Sequence, residues 1–243
     1  VGKDFNVIFS KQKGLVSYRY HQQEYIRVPV SPNFFRAATN NDVENKYGYR
    51  YGKWLTASLY AKCEFVGVSK GDCSCKIEYA YDLPNLQDEK VHLIYEVYGD
   101  GKIIVDMTYQ PVSSEIEMPV FGLIFQLYKD MEEVNYYGFG PEENYIDRNK
   151  GALLGKYAYQ VTDNLTPYLY PQECGNRTHV RELSVAGENT KLTVKGEDFE
   201  FSALHYTPYE LENARHKDEL PNIYQTVLCI NEKQMGVAGD NTW

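Results

Sequence analysis

The chain has 243 residues, a hydrophobic share of 43%, and 34 acidic against 25 basic residues for a formal net charge of -9. That length buries a sizeable core, the scattered basic residues and negative balance argue against a phosphate backbone as ligand, and no run reaches the roughly eighteen apolar residues a membrane helix needs. The five cysteines are an odd count whose one close pair is a C-x-C, whereas structural zinc prefers C-x-x-C pairs, so buried free thiols are expected.

The opening VGKDFNVIFS lacks the apolar stretch of a signal peptide, and the chain stops on Trp243 without a polar tail, so it reads as a piece of a longer polypeptide. A short helix is expected near Trp54 and Leu55. Alternating runs rich in tyrosine, valine and isoleucine then predict strands in CEFVGVSK, SCKIEYAYDL and KVHLIYEVYGDGKIIVDMTYQ. In the last of these, Val91, Leu93, Tyr95 and Val97 fall on one face. Gly99-Asp100-Gly101 offers positive-φ residues for a tight hairpin turn, and Ile103, Val105, Met107 and Tyr109 continue the apolar face. Further strands are expected in VFGLIFQLY, KLTVKGEDFEFSAL and IYQTVLCINE. TPYELENARH predicts a helix, with Thr207 as N-cap, Pro208 at the first helical position and Glu210 closing a capping box. Turn residues recur at roughly the ten-residue spacing of a sandwich, and no linker or repeat divides the chain. The expectation is an all-β fold, one antiparallel sheet-on-sheet domain over residues 1–243.

Two stretches carry candidate chemistry. GFGPEENYIDRNKG, residues 138–151, holds Glu142, Glu143, Asp147 and Arg148 behind Gly138, Gly140 and Pro141. A glycosidase needs two carboxylates at a set distance across a sugar. Adjacent Glu142 and Glu143 point apart in an extended chain, and nothing in the spacing requires either to face Asp147. The other reading is a loop pinned by glycine, proline and polar side chains. TPYLYPQECGNRTHVREL, residues 166–183, sets Glu173, Asn176, Arg177, His179 and Arg181 among Tyr168 and Tyr170, which suits a sugar site or a buried polar network in which arginine bridges carbonyls and Glu173. The five histidines form no metal-binding spacing, and no nucleophile elbow, phosphate loop or dinucleotide fingerprint occurs.

Four ordered stretches resemble the C-terminal, small-chain domain of the large bacterial β-galactosidases of glycoside hydrolase family 2. NFFRAATNND, residues 33–42 and including Arg36 and Asp42, is similar to N-F-W-R-A-P-T-D-N-D, with Phe35, Ala38 and Asn40 as departures. GFGPEENYIDR fits G-x-G-P-x-E-x-Y-x-D-R at Gly140, Pro141, Glu143, Tyr145, Asp147 and Arg148. YPQECGNRTHVRE, with Glu173, Arg177 and Arg181, is similar to P-Q-E-N-G-N-R-T-D-V-R, apart from Cys174 and His179. The closing GVAGDNTW resembles G-x-G-G-D-D-S-W, with Ala238, Asn241 and Thr242 changed.

The resemblance implies a large antiparallel supersandwich of the galactose-mutarotase type, with the family's last strands following Trp243. It places the nucleophile, the acid/base glutamate and a magnesium site, with sodium as a further candidate ion, in an upstream barrel of the same polypeptide. It therefore implies no catalytic residue and no metal in this chain, a scaffold role for the motif residues, and Trp243 as a platform for a β-galactoside. It also implies a homo-oligomer of the full bacterial enzyme, in cytoplasm or periplasm. Two other functions are weighed: an aldose 1-epimerase using His179 or His205 with Glu173, and a free-standing carbohydrate-binding module.

Overall fold

The computed structural model describes residues 2–86, 89–111 and 117–238. A hairpin of β1 (Phe5–Ser10) and β2 (Gly14–Tyr20), with the two-residue β3 (Gln23–Glu24), makes a small sheet before β4 (Ile26–Asn33). Two helices follow, α1 (Asn40–Glu44) and α2 (Tyr47–Tyr60). The helix expected near Trp54 is thus a 14-residue element, longer than its tyrosines and glycines suggest. What sustains it is a stripe of Tyr47, Tyr51, Trp54 and Ala57, all buried and spaced for one helical face. Trp54 is anchored at both ends of its indole: Nε1 donates to Glu117 O at 2.9 Å, and the rings lie 6.1 Å from those of Phe34 and Tyr109.

A four-stranded meander comes next, β5 (Lys62–Lys70), β6 (Ser74–Asp82), β7 (Lys90–Tyr98) and β8 (Ile103–Tyr109), each antiparallel to the last. The predicted face of β7 is buried at Val91, Leu93 and Tyr95. At the turn, Gly101 has φ 91° and Gly99 stays in the ordinary region; Asp100 contributes instead by accepting the Lys102 amide at 2.9 Å. Val105 departs from expectation and is 39% exposed. It borders an apolar groove of about 760 Å³ that separates this edge from the larger sheet, so its alternation is correct but its face is only partly covered.

The larger sheet contains β9 (Val120–Tyr128), β10 (Glu133–Gly140), β11 (Leu153–Gln160), β12 (Arg177–Ala186), β13 (Lys191–Leu204) and β14 (Gln225–Gln234), in the antiparallel order β11-β10-β12-β13-β14-β9-β4. β4 carries Pro29 and Pro32, which cannot donate to a ladder, and it lies accordingly at the sheet's end. Helix α3 (Pro208–Asn213) begins as expected: Thr207 Oγ1 accepts the Glu210 amide at 3.2 Å, and the Glu210 carboxylate accepts the Thr207 amide at 2.7 Å. One hydrophobic cluster joins Tyr79, Leu93 and Tyr95 of the four-stranded sheet, Trp54 of α2, and Leu123, Leu183 and Phe201 of the larger sheet. The architecture is an all-β antiparallel sandwich, with three α-helices and two single-turn 3-10 helices among the described residues.

The thiols divide by position. Cys174 and Cys229 are buried, and burial raises both to about 12, whereas Cys73 lies exposed before β6, contrary to the expected burial.

Candidate functional site

Strand register brings the motif stretches together at one end of the larger sheet. Asn33 on β4 pairs with Gly122 on β9, Gly122 with Asn231 on β14, and Asn231 with Glu200 on β13; the next residue, Phe201, pairs with Arg177 on β12. β10 pairs with β12, so the loop after Gly140 leaves beside the loop that enters β12. Stretches 33–42, 138–148 and 171–183 therefore share one corner.

In the first loop, Glu143 is turned inward. Its carboxylate accepts the Gly175 amide at 2.6 Å and the hydroxyls of Thr166 and Tyr168 at 2.9 Å, and it pairs with Arg148. Burial alone would raise this acid, but those donors outweigh it and hold the carboxyl below its ordinary range. Tyr145 is buried, sends its hydroxyl to Glu173 Oε1 at 3.3 Å and lies under the Arg148 guanidinium. The peptide between Gly140 and Pro141 is cis. Asn144 binds the loop to β12 and the residue before it: its Oδ1 accepts from the Thr178 backbone amide at 2.9 Å, and its backbone amide donates to Asn176 O at 2.8 Å.

Arg177 is the centre of this corner. Its guanidinium donates at 3.1 Å to the carbonyls of Pro141, Gly175 and Asn176, to Asn164 Oδ1 and to the Tyr136 hydroxyl, and it lies 5.2 Å from the Tyr159 ring centre. It bridges carbonyls as expected, but it does not bond Glu173. Arg181 stands apart: it is exposed, donates to His179 O and rests against Tyr137.

Glu173 is buried and accepts from Gln234 Nε2 at 2.8 Å as well as from Tyr145. Burial raises its carboxyl to about 7 against the pull of Arg36 and these two donors. Glu200 is likewise raised to about 7, chiefly by burial. Sequence reasoning passed over Glu200 because it sits inside the long run of β13, where an alternating acid ordinarily faces water.

Arg36, only 1% exposed, forks onto Asp42 at 2.6 and 3.3 Å. Asp42 also closes a capping box with Thr39, whose amide and hydroxyl both reach Asp42 Oδ2 at 2.8 Å, and this starts α1. The Thr39-x-x-Asp42 spacing was a readable signal for that helix. The stretch that leaves β14 runs between the two loops. Arg36 Nη2 donates to Gly236 O at 2.8 Å and Asn41 Nδ2 to Val237 O at 3.0 Å. Asp147 accepts the amides of Val237 at 3.2 Å and Ala238 at 2.8 Å. Beside it opens a polar cleft of about 220 Å³, walled by Asn40, Tyr145, Arg148, Gln172, Glu173 and Val237 among others.

The acids of the corner thus serve different partners: Glu143 faces inward and Asp147 faces the outgoing chain, while Glu142 is exposed. Neither histidine proposed for epimerase chemistry bonds Glu173. His205 Nδ1 donates to Gln225 O at 2.8 Å and its Nε2 lies 2.8 Å from Glu132, whereas His179 lies 3.3 Å from Asp198 and against Phe139. Among the described residues, no group of three or more His, Cys, Asp or Glu is arranged to hold a metal ion, and no helix is long and apolar enough to cross a membrane. Trp243, expected to meet substrate, lies outside the described residues.

The family model described as the beta galactosidase small chain matches residues 1–243. The chain is similar to the beta-galactosidases of Halalkalibacterium halodurans and Streptococcus thermophilus, at 39% and 37% identity over all of its length. It spans 25% and 24% of those two proteins. It is also similar to the beta-galactosidase small subunit of Latilactobacillus sakei, at 30% identity, where the whole chain covers 86% of the relative. With the match running from Val1 to Trp243, and the motif stretches gathered into one corner of an antiparallel sandwich, the chain belongs to the beta galactosidase small chain family.

Proposed function

We propose that the chain is the C-terminal part of a β-galactosidase, a glycoside hydrolase that cleaves terminal β-D-galactosides with retention, and that it is not catalytic by itself. Retaining hydrolysis needs two carboxyl groups about 5–5.5 Å apart across the sugar, one as nucleophile and one as acid/base. The observation that carries the proposal is the state of Glu143: its carboxylate is occupied by Gly175, Thr166, Tyr168 and Arg148, which leaves it a structural acceptor. The bond-breaking acids then belong to an upstream barrel, together with magnesium and any sodium, and the sandwich completes the wall of that barrel's active site. In this reading Trp243 is the one residue that meets substrate. An indole face packs on the apolar face of a pyranose through C–H contacts and dispersion. The full enzyme is a homo-oligomer in which this sandwich stays beside its barrel.

The test is complementation. The chain alone is expected to leave a chromogenic galactoside intact, and addition of the matching upstream polypeptide is expected to restore its hydrolysis. Turnover by the chain alone would overturn the assignment of the chemistry to another part of the enzyme.

A further inference from the structure

We infer that the corner where the motif loops meet is the surface that seats the upstream barrel: a polar cleft ringed by large apolar side chains, into which a loop of that barrel fits. The inference rests on the proposed division of labour, in which the chemistry belongs to the upstream polypeptide, and adds to it the place where the two parts meet.

The ring is assembled from three segments, each of which also supplies a wall of the cleft. Tyr145 and Arg148 line the cleft and close a four-residue turn, the Arg148 amide donating to Tyr145 O at 3.0 Å, and Ile146 stands at its tip. Leu169 and Tyr170 lie between Tyr168 and Gln172, two further wall residues. Asn40 lines the cleft from the first turn of α1, and Val43, three residues on, shares that side of the helix. The segments are tied to one another: Gln172 Oε1 accepts the Asn40 amide at 3.2 Å, and Arg148 Nη1 reaches the Tyr168 hydroxyl at 3.5 Å.

The apolar members are exposed well beyond what the fold requires, with Ile146 at 60%, Leu169 at 79%, Tyr170 at 45% and Val43 at 63%. On a strand an exposed valine follows from the alternation that covers its neighbours, as at Val66 and Val68 of β5. A loop imposes no such period, and the tip of a turn ordinarily carries a polar residue. Together the four present on the order of 400 Å² of apolar surface around one opening, the size at which an exposed patch marks an interaction site.

The cleft they surround is held open from behind. Arg148 is fixed by Glu143, Tyr145 by Glu173, and Asn41 by Val237 O, so the hollow is formed before anything binds and its ordering is not charged to the contact. An apolar ring excludes water from the contacts at its centre, where hydrogen bonds then count most. The amide side chains of Asn40 and Asn41 bring donors and acceptors there, which suits the backbone of an inserted loop. The extent of the chain names the occupant. It spans 25% and 24% of two beta-galactosidases it resembles, so the greater part of each lies outside it. The barrel proposed for that part is tethered to the sandwich and therefore present at high effective concentration.

The experiment uses the full-length enzyme, with galactoside hydrolysis assayed on the same preparation. Hydroxyl-radical footprinting compares the oxidation of Ile146, Leu169 and Tyr170 in the native and the urea-unfolded enzyme. A seated barrel is expected to slow labelling of all three by about tenfold or more, since the core of an interface is packed as densely as a protein interior. The photoreactive residue p-benzoylphenylalanine introduced at Leu169 is then expected to capture a peptide from the part of the enzyme that precedes residue 1, identified by mass spectrometry. Native labelling close to the unfolded rate would show a free surface and overturn the docking role, while hydrolysis by that preparation leaves the functional reading standing. Capture of a peptide from residues 1–243, of the same or a second copy, would overturn the docking role as well, and so would no capture at all. Failure of the full-length enzyme to hydrolyse the galactoside would instead overturn the functional reading and remove the docking role with it.

Discussion

Replacing Glu200 by glutamine isolates the energetic consequence of burying a carboxyl group. The side chain is 2% exposed, and Asn176 Nδ2 donates to its Oε2 at 3.1 Å. Burial pushes the carboxyl up to about 7; the Asn176 bond and the charge of Lys233 pull it down, and Asp198 and Glu173 push it up. Its ordinary value is 4.5. Between about pH 4.5 and 7, the folded chain therefore keeps a proton that the unfolded chain has released. More protons on the folded side mean that stability is greatest below the unfolded value and falls as pH rises through the folded one. At about 1.4 kcal/mol per pH unit, the loss reaches roughly 3 kcal/mol by pH 8. Glutamine has the same shape, can accept the same Asn176 bond and does not ionise. Glu200→Gln is expected to match the parent chain near pH 5 and to exceed its stability by about 3 kcal/mol at pH 8. Urea unfolding at the two pH values, analysed by linear extrapolation, measures the difference. Glu173 is also raised to about 7, so the substitution should flatten the slope by about half. A variant equally destabilised at both pH values would refute the reasoning.

Arg177→Ala strands the carbonyls of Pro141, Gly175 and Asn176 and the Asn164 side chain in a buried corner. It is expected to cost about 4 kcal/mol in urea unfolding, with Arg177→Lys recovering only part because one ammonium cannot reach the whole set. Glu143 behaves oppositely to Glu200: its carboxyl is held low, so its contribution is present above the unfolded value and is lost as pH falls through the folded one. Glu143→Gln is expected to remove that part of the acid-side loss of stability, which the same unfolding experiment extended to lower pH will show. Thr207→Ala deletes the hydroxyl half of the α3 capping box and is expected to cost about 1 kcal/mol, read as a lower urea midpoint with an unchanged slope.

Much of the sandwich was legible because strand formation follows a local period. The alternation in β5 to β9 marks those strands, and the Thr207-Pro208-x-Glu210 spacing marks the start of α3, since a capping box is complete within four residues. β4 was not legible, because Pro29 and Pro32 speak against a strand wherever their missing amides would be needed, and only the sheet order shows that this strand lies at an end. The length of α2 was hidden for a related reason: its stripe is built from tyrosines, which suit strands equally well, and burial alone distinguishes the two.

The motif residues themselves could be picked out from the order of residues, and so could the family resemblance, because both are properties of short stretches. Their roles could not. Whether Glu143 was half of a reacting pair or an occupied acceptor depended on Gly175, Thr166 and Tyr168, which lie 23 to 32 residues away. Whether Arg177 met a carboxylate or a set of carbonyls depended on the loop beside β10. Nothing in the run KLTVKGEDFEFSAL singles out Glu200, which is marked as a buried acid only once the sheet places it opposite Asn231. Sequence determines which groups are present and their local geometry; hydrogen-bond partners and burial, which set the charge state and duty of each group, arise only when distant segments close on one another.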